Sequence, residues 1–416
     1  MFLLFFSIIL VLFGLMQYRL YRLIRSWIRK AIAPGRRPAW LRRTLVGFLV
    51  FNVLFLAQMV VRGTPYYELP LFQFTLIYPT SIVFGIIVFS FLLVSVVDIP
   101  RLLIRVASVA ISRARGFKPV RPEPSDSEAA FDQGRRRFLR IGGVTAASAV
   151  SSLPVFAALT TARDYQLNRI DIVSPRVPPS LDGLTIAQVS DIHSGVFMTH
   201  ESMNEIFDLV NGFNADMIVV TGDFVDSSDV QIEPLARSIR MLKADLGVFG
   251  CLGNHDHFAT AAKVSAAVEQ SGVVMLNNSS VAKSIDGGTL SLLGIDDAGR
   301  GMSNFADVGR TLAGVDPESF KIMLTHRPEM WDQCRKLGMD LTLAGHTHGG
   351  QVGFRVGPLN LNPVYLVHKY PMGHFIDGPH HLYVNVGVGM VGVPIRMVKP
   401  ELSLFTLRRV SAHRPR

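Results

Sequence analysis

The hydrophobic and polar positions divide the chain into two parts of different character. The N-terminal third contains long apolar runs, whereas from Leu184 onward the apolar runs are short, end in polar clusters and alternate with segments of helical periodicity. Long apolar runs are typical of membrane helices, and short buried strands between helices are typical of an α/β domain. We therefore predict an all-α transmembrane region followed by an α/β domain over residues 164–409.

Three apolar runs in the N-terminal third are candidates for membrane spans. They are Met1 to Met16, Thr44 to Val61 and Leu71 to Val97, of which the first is marginal in length. The segment from Pro100 to Ser112 is short and carries two arginines, so a helix lying on the membrane surface is favoured over a further crossing. Residues 1–117 are thus predicted to hold three spans and a surface helix.

The formal charge of +10 lies almost entirely at the front of the chain. Residues 1–140 hold 20 Lys and Arg against six acidic residues, a net charge of +14, which leaves −4 on residues 141–416. Basic residues beside apolar runs orient membrane proteins. The positive-inside rule places the basic loop between the first two apolar runs in the cytoplasm. A slightly acidic domain repels phosphate backbones, so no nucleic acid partner is expected.

A Pro/Ser/acid-rich linker over residues 118–140 ends in Arg135-Arg136-Arg137-Phe138-Leu139-Arg140, and an uncharged stretch over 141–162 follows. This arrangement resembles a twin-arginine export signal, although its internal position departs from the usual N-terminal placement. The alternative is an ordinary transmembrane helix with cytoplasmic flanking charges. Both interpretations predict a fourth span or signal-anchor and an extracytoplasmic domain in a multi-pass protein of the cytoplasmic membrane. The first also predicts the twin-arginine translocase as a partner during export.

Five polar clusters follow predicted strands in the second part of the chain. They are Asp191-Ile192-His193, Gly222-Asp223-Phe224-Val225-Asp226, Gly253-Asn254-His255-Asp256, Thr325-His326, and Gly345-His346-Thr347-His348-Gly349-Gly350-Gln351. The carboxyl ends of strands in an open α/β sheet meet at one crevice, where we expect these side chains to lie together. Carboxylate, amide and imidazole ligands without thiolates suit Mn, Fe or Zn. Two cysteines, Cys251 and Cys334, cannot form a thiolate zinc site.

The order and spacing of these clusters resemble those of the calcineurin-like metallophosphoesterase family, in particular its bacterial membrane-associated branch. The resemblance implies a sandwich of two mixed β-sheets flanked by helices, and two divalent metal ions (Mn, Fe or Zn). It places Asp191, His193, Asp223 and His348 on one metal, with Asp223 bridging, and Asn254, His326 and His346 on the second. It also implies that His255 is the catalytic histidine and that Asp256 orients it.

The resemblance implies a phosphoesterase that hydrolyses phosphomonoesters or phosphodiesters with a metal-activated hydroxide. At the outer face of the membrane its substrate would include lipid-linked phosphoesters. Three alternatives stay open: a pyrophosphohydrolase of nucleotide-linked acylated sugars, a metal-binding pseudoenzyme that acts as a scaffold, and a membrane protein that works mainly through its helices.

Several polar residues near the motifs have less defined roles. Asp226 is expected to support the site through hydrogen bonds, whereas His200 and His257 are expected to have no specific role. Arg396 is expected either to contact a substrate phosphate or to pair with Glu401.

Overall fold

The computed structural model describes residues 2–61, 64, 66, 69–114, 160–161, 163–299, 304–356, 359–392 and 395–410. The chain divides into two compact units, one N-terminal and helical and the other containing the α/β sheets. The predicted linker over 118–140, its twin-arginine motif and the predicted fourth span over 141–162 lie outside the described residues.

In the described part of the N-terminal unit there are three long helices: Phe2–Ala31, Arg37–Val61 and Tyr78–Ala114. A helical turn at Pro70–Phe72 and a π-helical segment at Gln73–Ile77 precede the third. The helices pack through an apolar cluster that contains Met16, Phe51 and Ile87. Among the residues described, one helix, Pro34–Val61, is long and apolar enough to cross a membrane.

The third long helix continues through the position at which the sequence suggested a separate surface helix. Residues 100–112 belong to the same helix as the apolar run before them, with Pro100 inside it. A proline within a helix removes one main-chain donor but does not have to end the helix when its neighbours stay helical. The boundary expected at Pro100 is therefore absent from the structure.

The first sheet of the α/β unit has the strand order β1-β14-β2-β3-β4-β5. Its strands are β1 (Gln166–Ser174), β2 (Thr185–Val189), β3 (Met217–Thr221), β4 (Val248–Cys251), β5 (Val273–Met275) and β14 (Glu401–Arg409). Strands β2 to β5 are parallel, and β14 runs antiparallel to β2. Every residue of β3 is buried, which is typical of a parallel strand covered on both faces.

The second sheet has the strand order β12-β13-β9-β8-β7-β6. Its strands are β6 (Ser279–Ile285), β7 (Gly288–Gly294), β8 (Phe320–Leu324), β9 (Leu341–Ala344), β12 (Gly373–Asp377) and β13 (His380–Val384). The sheet is mixed: β7, β8, β9 and β13 are parallel to one another, whereas β6 and β12 are antiparallel to their neighbours. A separate hairpin joins β10 (Phe354–Val356) and β11 (Leu359–Leu361).

The two sheets pack face to face with helices outside them. One apolar cluster combines Phe249 and Met217 of the first sheet with Phe320 and Leu341 of the second. The outer face of the first sheet is covered by the helices His200–Asn211, Ile232–Ile239 and Ala261–Gln270. Short helices also lie at Val308–Leu312, Trp331–Cys334 and Val364–Val367. This architecture confirms the predicted sandwich of two mixed sheets.

Candidate active site

Five strand ends bring the polar clusters to one place. Asp191 follows β2, Asp223 follows β3 and His255 follows β4 in the first sheet, whereas His326 follows β8 and His346 follows β9 in the second. These parallel strands end on the same side of the sandwich, so the clusters face each other across the two sheets. Residues separated by more than 150 positions in the sequence are consequently in contact, as in the pair His193 and His348.

One group of candidate metal ligands consists of Asp191, His193 and His348, all buried. The Nε2 atoms of the two histidines lie 3.1 Å apart. Oδ1 of Asp191 lies 3.3 Å from Nε2 of His348 and 3.9 Å from Nε2 of His193. Two imidazole nitrogens and a carboxylate oxygen that converge in this way suit a divalent cation.

A second group consists of Asp223, His326 and His346. Nδ1 of His346 lies 3.1 Å from Nε2 of His326, and Oδ2 of Asp223 lies 3.1 Å from the same Nε2. Oδ2 of Asp223 is also 3.4 Å from Nε2 of His193, which belongs to the first group. Asp223 therefore stands between the two groups.

The backbone at these residues adopts an unusual conformation. Asp191, His193, Asp223, His346 and His348 all have positive φ angles, between 51° and 74°. A side chain other than glycine in this left-handed region costs about 1–2 kcal/mol, and such residues concentrate at functional sites. The surrounding sheets thus hold five candidate ligands in a conformation that each would avoid by itself.

Close packing around the site explains two of the glycines in the motifs. A Cβ atom on Gly253 would lie 2.3 Å from Oδ1 of Asp223, and one on Gly345 would lie 2.3 Å from Oδ2 of Asp191. Real Cβ atoms do not approach other heavy atoms so closely. Glycine is therefore required at both positions because a candidate ligand occupies the space of a side chain.

Burial sets the protonation states of the candidate ligands. Desolvation by burial lowers the pKa values of His193, His346 and His348 well below the usual value for histidine. These imidazoles are consequently neutral at neutral pH and offer lone pairs. Burial, together with the neighbouring charge of Asp223, raises the pKa of Asp191 to about 6 against the opposing effect of His326.

An unpartnered polar atom supports the same interpretation. Oδ1 of Asn254 is buried and has no hydrogen-bond partner in the described part of the chain. A buried polar atom without a partner is costly, and a cation beside it would remove that cost. Asn254 directly precedes His255, whose main-chain N–H donates a 2.8 Å hydrogen bond to Oδ1 of Asp223. The residues present therefore fit two divalent cations.

Comparison with known proteins agrees with this geometry. The family model of the calcineurin-like phosphoesterases matches residues 184–350, which include every candidate ligand. A Bacillus subtilis protein named uncharacterized metallophosphoesterase YkuE is 32% identical over 285 residues, which cover 66% of this chain and 97% of that protein.

The chain belongs to the calcineurin-like metallophosphoesterase family.

Relatives also occur in eukaryotes. A Danio rerio protein named transmembrane protein with metallophosphoesterase domain is 28% identical over 62% of this chain, and the match spans 60% of that relative's own length. Among solved structures, a dimetal phosphatase from Danio rerio aligns with 50% of this chain and 88% of its own at 11% identity and a TM-score of 0.34. The family membership makes this chain a metal-dependent hydrolase.

The surroundings of His255 in this metallophosphoesterase differ from the expectation. Nδ1 of His255 contacts the main-chain oxygen of Asp226 and lies 3.8 Å from its carboxylate oxygen Oδ1. The Asp256 carboxylate instead accepts hydrogen bonds of 3.1 Å and 2.9 Å from the main-chain N–H groups of Val225 and Gly253. Asp256 was expected to orient His255, but in the structure its oxygens accept hydrogen bonds from two main-chain donors. The residue that contacts the His255 ring is Asp226.

Arg396 contacts main-chain carbonyl groups instead of the partners expected from the sequence. Its side chain is fully buried, and its guanidinium donates to the main-chain oxygens of Val386, Gly387, Gly389 and Val398. The segment that contains Gly387 and Gly389 packs directly against Asp191. Arg396 therefore supports the main chain behind the site and is not accessible to substrate.

Two further histidines have defined contacts. His200 begins the helix His200–Asn211, and its Nδ1 atom lies 2.6 Å from Oγ of Ser238, so its contacts are structural. The His257 ring lies 2.7 Å from Oδ1 of Asp296 and stacks on Phe305 at 4.0 Å between ring centroids.

Arg327 and Asp297, which were not among the site residues predicted from the sequence, also make contacts at the site. Arg327 directly follows His326, and Nη1 of its guanidinium lies 3.0 Å from Nε2 of His346. Its other nitrogens bind Asp297, a residue that follows β7. The only signal in the sequence was the position of Arg327 beside a ligand motif, because its contact with Asp297 spans 30 residues.

Proposed function

We propose that this chain is a membrane-anchored two-metal phosphoesterase that hydrolyses phosphomonoesters or phosphodiesters at the outer face of the cytoplasmic membrane. The observation that carries the proposal is the position of Asp223, whose Oδ2 atom lies 3.4 Å from His193 and 3.1 Å from His326. One carboxylate between two sets of imidazoles is the arrangement that a pair of cations sharing a ligand requires.

Each candidate ligand has an assigned place in this proposal. Asp191, His193, His348 and Asp223 would hold one cation, and Asn254, His326, His346 and Asp223 would hold the other. When bound, two divalent cations supply a hydroxide from water at neutral pH and neutralise charge on the phosphoryl oxygens. Mn, Fe and Zn are all compatible with these nitrogen and oxygen donors.

His255 is proposed to move a proton at Nε2. A main-chain carbonyl can only accept a hydrogen bond, so the contact with Asp226 places a proton on Nδ1 of His255. Nε2 is then the nitrogen that can donate to the leaving-group oxygen when the ring is protonated. Asp226 sets the ring orientation, and Asp256 holds the two loops on which Asp226 and His255 lie.

The membrane part of the proposal rests on the apolar helix Pro34–Val61 and on relatives whose names include a transmembrane part. The other predicted spans, the basic loop between the first two and the twin-arginine-like motif support a multi-pass anchor with the catalytic domain outside. An enzyme at that surface would meet lipid-linked phosphoesters, which are the substrates that we propose.

The decisive experiment is hydrolysis of aryl phosphomonoesters and phosphodiesters by the purified full chain in detergent, with Mn, Zn or Fe added. Metal-dependent turnover should be abolished by Asp223→Asn and reduced by His255→Ala. The control Asp208→Asn changes an exposed carboxylate on the helix His200–Asn211 and should have no effect. A folded, metal-loaded chain that hydrolyses neither ester would favour a pseudoenzyme or scaffold. Selective cleavage of nucleotide-linked acylated sugars would favour the pyrophosphohydrolase alternative.

Membrane topology needs a separate test. A protease added to intact spheroplasts should degrade the domain over residues 164–409 if it lies outside the cytoplasm. Protection in spheroplasts, with degradation only after detergent is added, would place the domain inside and contradict the proposed location.

A further inference from the structure

Arg327 is held rigidly at the edge of the candidate site. Its Nε and Nη2 atoms donate hydrogen bonds of 2.6 Å and 3.2 Å to the two carboxylate oxygens of Asp297. The Asp297 side chain is only 2% exposed, and that of Arg327 is 25% exposed. A bidentate pair with a buried carboxylate fixes the plane of a guanidinium, so the direction of the remaining nitrogen is determined by Asp297.

The remaining nitrogen, Nη1, faces the outer side of His346. Nη1 of Arg327 lies 3.0 Å from Nε2 of His346, while Nδ1 of the same ring faces His326 at 3.1 Å. If Nδ1 is the ligand nitrogen, Nε2 carries the ring proton, since a neutral imidazole has one donor and one acceptor nitrogen. Two donors then face each other, and a single acceptor beside them can accept a hydrogen bond from each.

We propose that Nη1 of Arg327 and Nε2 of His346 form a subsite for a non-bridging phosphoryl oxygen of the substrate. Arg327 is the substrate-binding residue, and Asp297 is the positioning residue that aims it. An anionic oxygen suits this subsite because a guanidinium next to a second N–H donor favours a charged acceptor. The inference rests on the proposed phosphoesterase function and adds to it Arg327, a binding group that is not one of the candidate metal ligands.

The subsite predicts a preference among esters. A phosphomonoester dianion carries one more charged non-bridging oxygen than a phosphodiester. A fixed cation beside the phosphoryl group therefore stabilises the bound monoester more. Loss of Arg327 should lower turnover of monoesters more than turnover of diesters.

The test uses the full chain in detergent, loaded with Mn, and inorganic phosphate as a competitive inhibitor. Arg327→Gln should raise the inhibition constant of phosphate and the KM for a monoester by about 10- to 100-fold, the range for one charged hydrogen bond. Arg327→Lys should recover only part of this loss, because lysine lacks the planar fork. Asp297→Asn should weaken phosphate binding less than Arg327→Gln does.

Metal content and thermal stability separate substrate binding from structural support. The matched control is Arg335→Gln, which removes an arginine paired with Asp332 and Asp377 and should leave phosphate inhibition unchanged. Mn content of Arg327→Gln and Arg327→Lys should equal that of the wild type. Tm should fall in Arg327→Gln, which leaves the Asp297 carboxylate buried without its partner, and should stay closer to the wild type in Arg327→Lys, which keeps the charge. The inference is overturned if Arg327→Gln binds phosphate as the wild type does, or if it loses Mn together with phosphate binding. A wild-type chain without turnover of either ester would instead refute the phosphoesterase function.

Discussion

The main-chain N–H of His255 donates a 2.8 Å hydrogen bond to Oδ1 of Asp223. The other oxygen of the same carboxylate faces the imidazoles of His193 and His326. One oxygen of Asp223 is thus oriented by the loop after β4, and the second is left for cations. The position of the proposed proton donor and that of the proposed bridging carboxylate are consequently linked, so a change in that loop should affect both.

Gly253→Ala tests this link. The added Cβ atom would lie 2.3 Å from Oδ1 of Asp223 and 2.5 Å from its main-chain nitrogen, so the carboxylate must move. We expect loss of bound metal and a fall in kcat/KM of at least about 100-fold, because a displaced ligand costs more than the 10- to 100-fold typical of its supporting residues. Metal analysis of the purified variant and ester hydrolysis measure the two effects.

The control for that substitution is Gly309→Ala. A Cβ atom there would meet only Oδ1 of Asp307 at 3.6 Å, and this glycine lies in the short helix Val308–Leu312. It should retain metal and activity. Full activity in Gly253→Ala would show that Asp223 does not need the position seen in the structure.

His255→Ala should lower kcat/KM most for esters with poor leaving groups. A proton donor at Nε2 stabilises an alkoxide that leaves with difficulty, whereas a nitrophenolate needs little help. We expect a loss of about 100-fold or more with an alkyl or unsubstituted phenyl ester, within the range for general acid catalysis, and a smaller loss with a nitrophenyl ester. The slope of log kcat/KM against leaving-group pKa, measured for both proteins, should be steeper in the variant. Equal losses across the series would assign His255 to phosphoryl binding only.

Metal affinity should rise with pH between about 7.5 and 9. Burial alone would lower the pKa of His326, but the charge and hydrogen bond of Asp223 raise it to about 10. In the metal-free chain His326 therefore keeps its proton through this pH range, and a cation can bind only after the proton leaves. Displacement of one proton gives about a tenfold rise in affinity per pH unit.

Calorimetry in two buffers of different ionisation enthalpy measures the number of protons released. At pH 8 we expect about one, because Asp191 and Asp256, with pKa values of about 6 and about 7, are already largely ionised. An affinity that does not change between pH 7.5 and 9 would contradict the protonated state of His326.

Asp256→Ala should lower stability more than it lowers catalysis. The carboxylate satisfies the buried main-chain N–H groups of Val225 and Gly253. Each unsatisfied buried donor costs about 1–3 kcal/mol, so Tm should fall by roughly 4 °C or more for a unit of this size. Activity per metal-loaded molecule should change less than in His255→Ala. A variant with unchanged Tm and the full catalytic defect of His255→Ala would restore the orienting role that the sequence suggested.

The sequence alone was sufficient for the fold class and for the group of candidate ligands. Both follow from local information: strand-length apolar runs, and polar residues that come directly after them. Because parallel strands end at one edge of a sheet, Asp191, Asp223 and His255 could be placed together without coordinates. The long apolar runs likewise predicted helices in the N-terminal third, although the helix boundary expected at Pro100 is not observed.

Only the tertiary structure decided which side chain supports which. Asp256 is adjacent to His255 in sequence, yet its oxygens bind main-chain donors of two loops, and Asp226 contacts the ring instead. Arg396 was a candidate for phosphate binding, yet it is enclosed by carbonyl oxygens. Arg327 acquires its direction from Asp297, 30 residues away. The physical reason is the same in each case. Packing between strands that are distant in sequence determines which side chains meet, and the residues next to a position in the sequence do not indicate that packing.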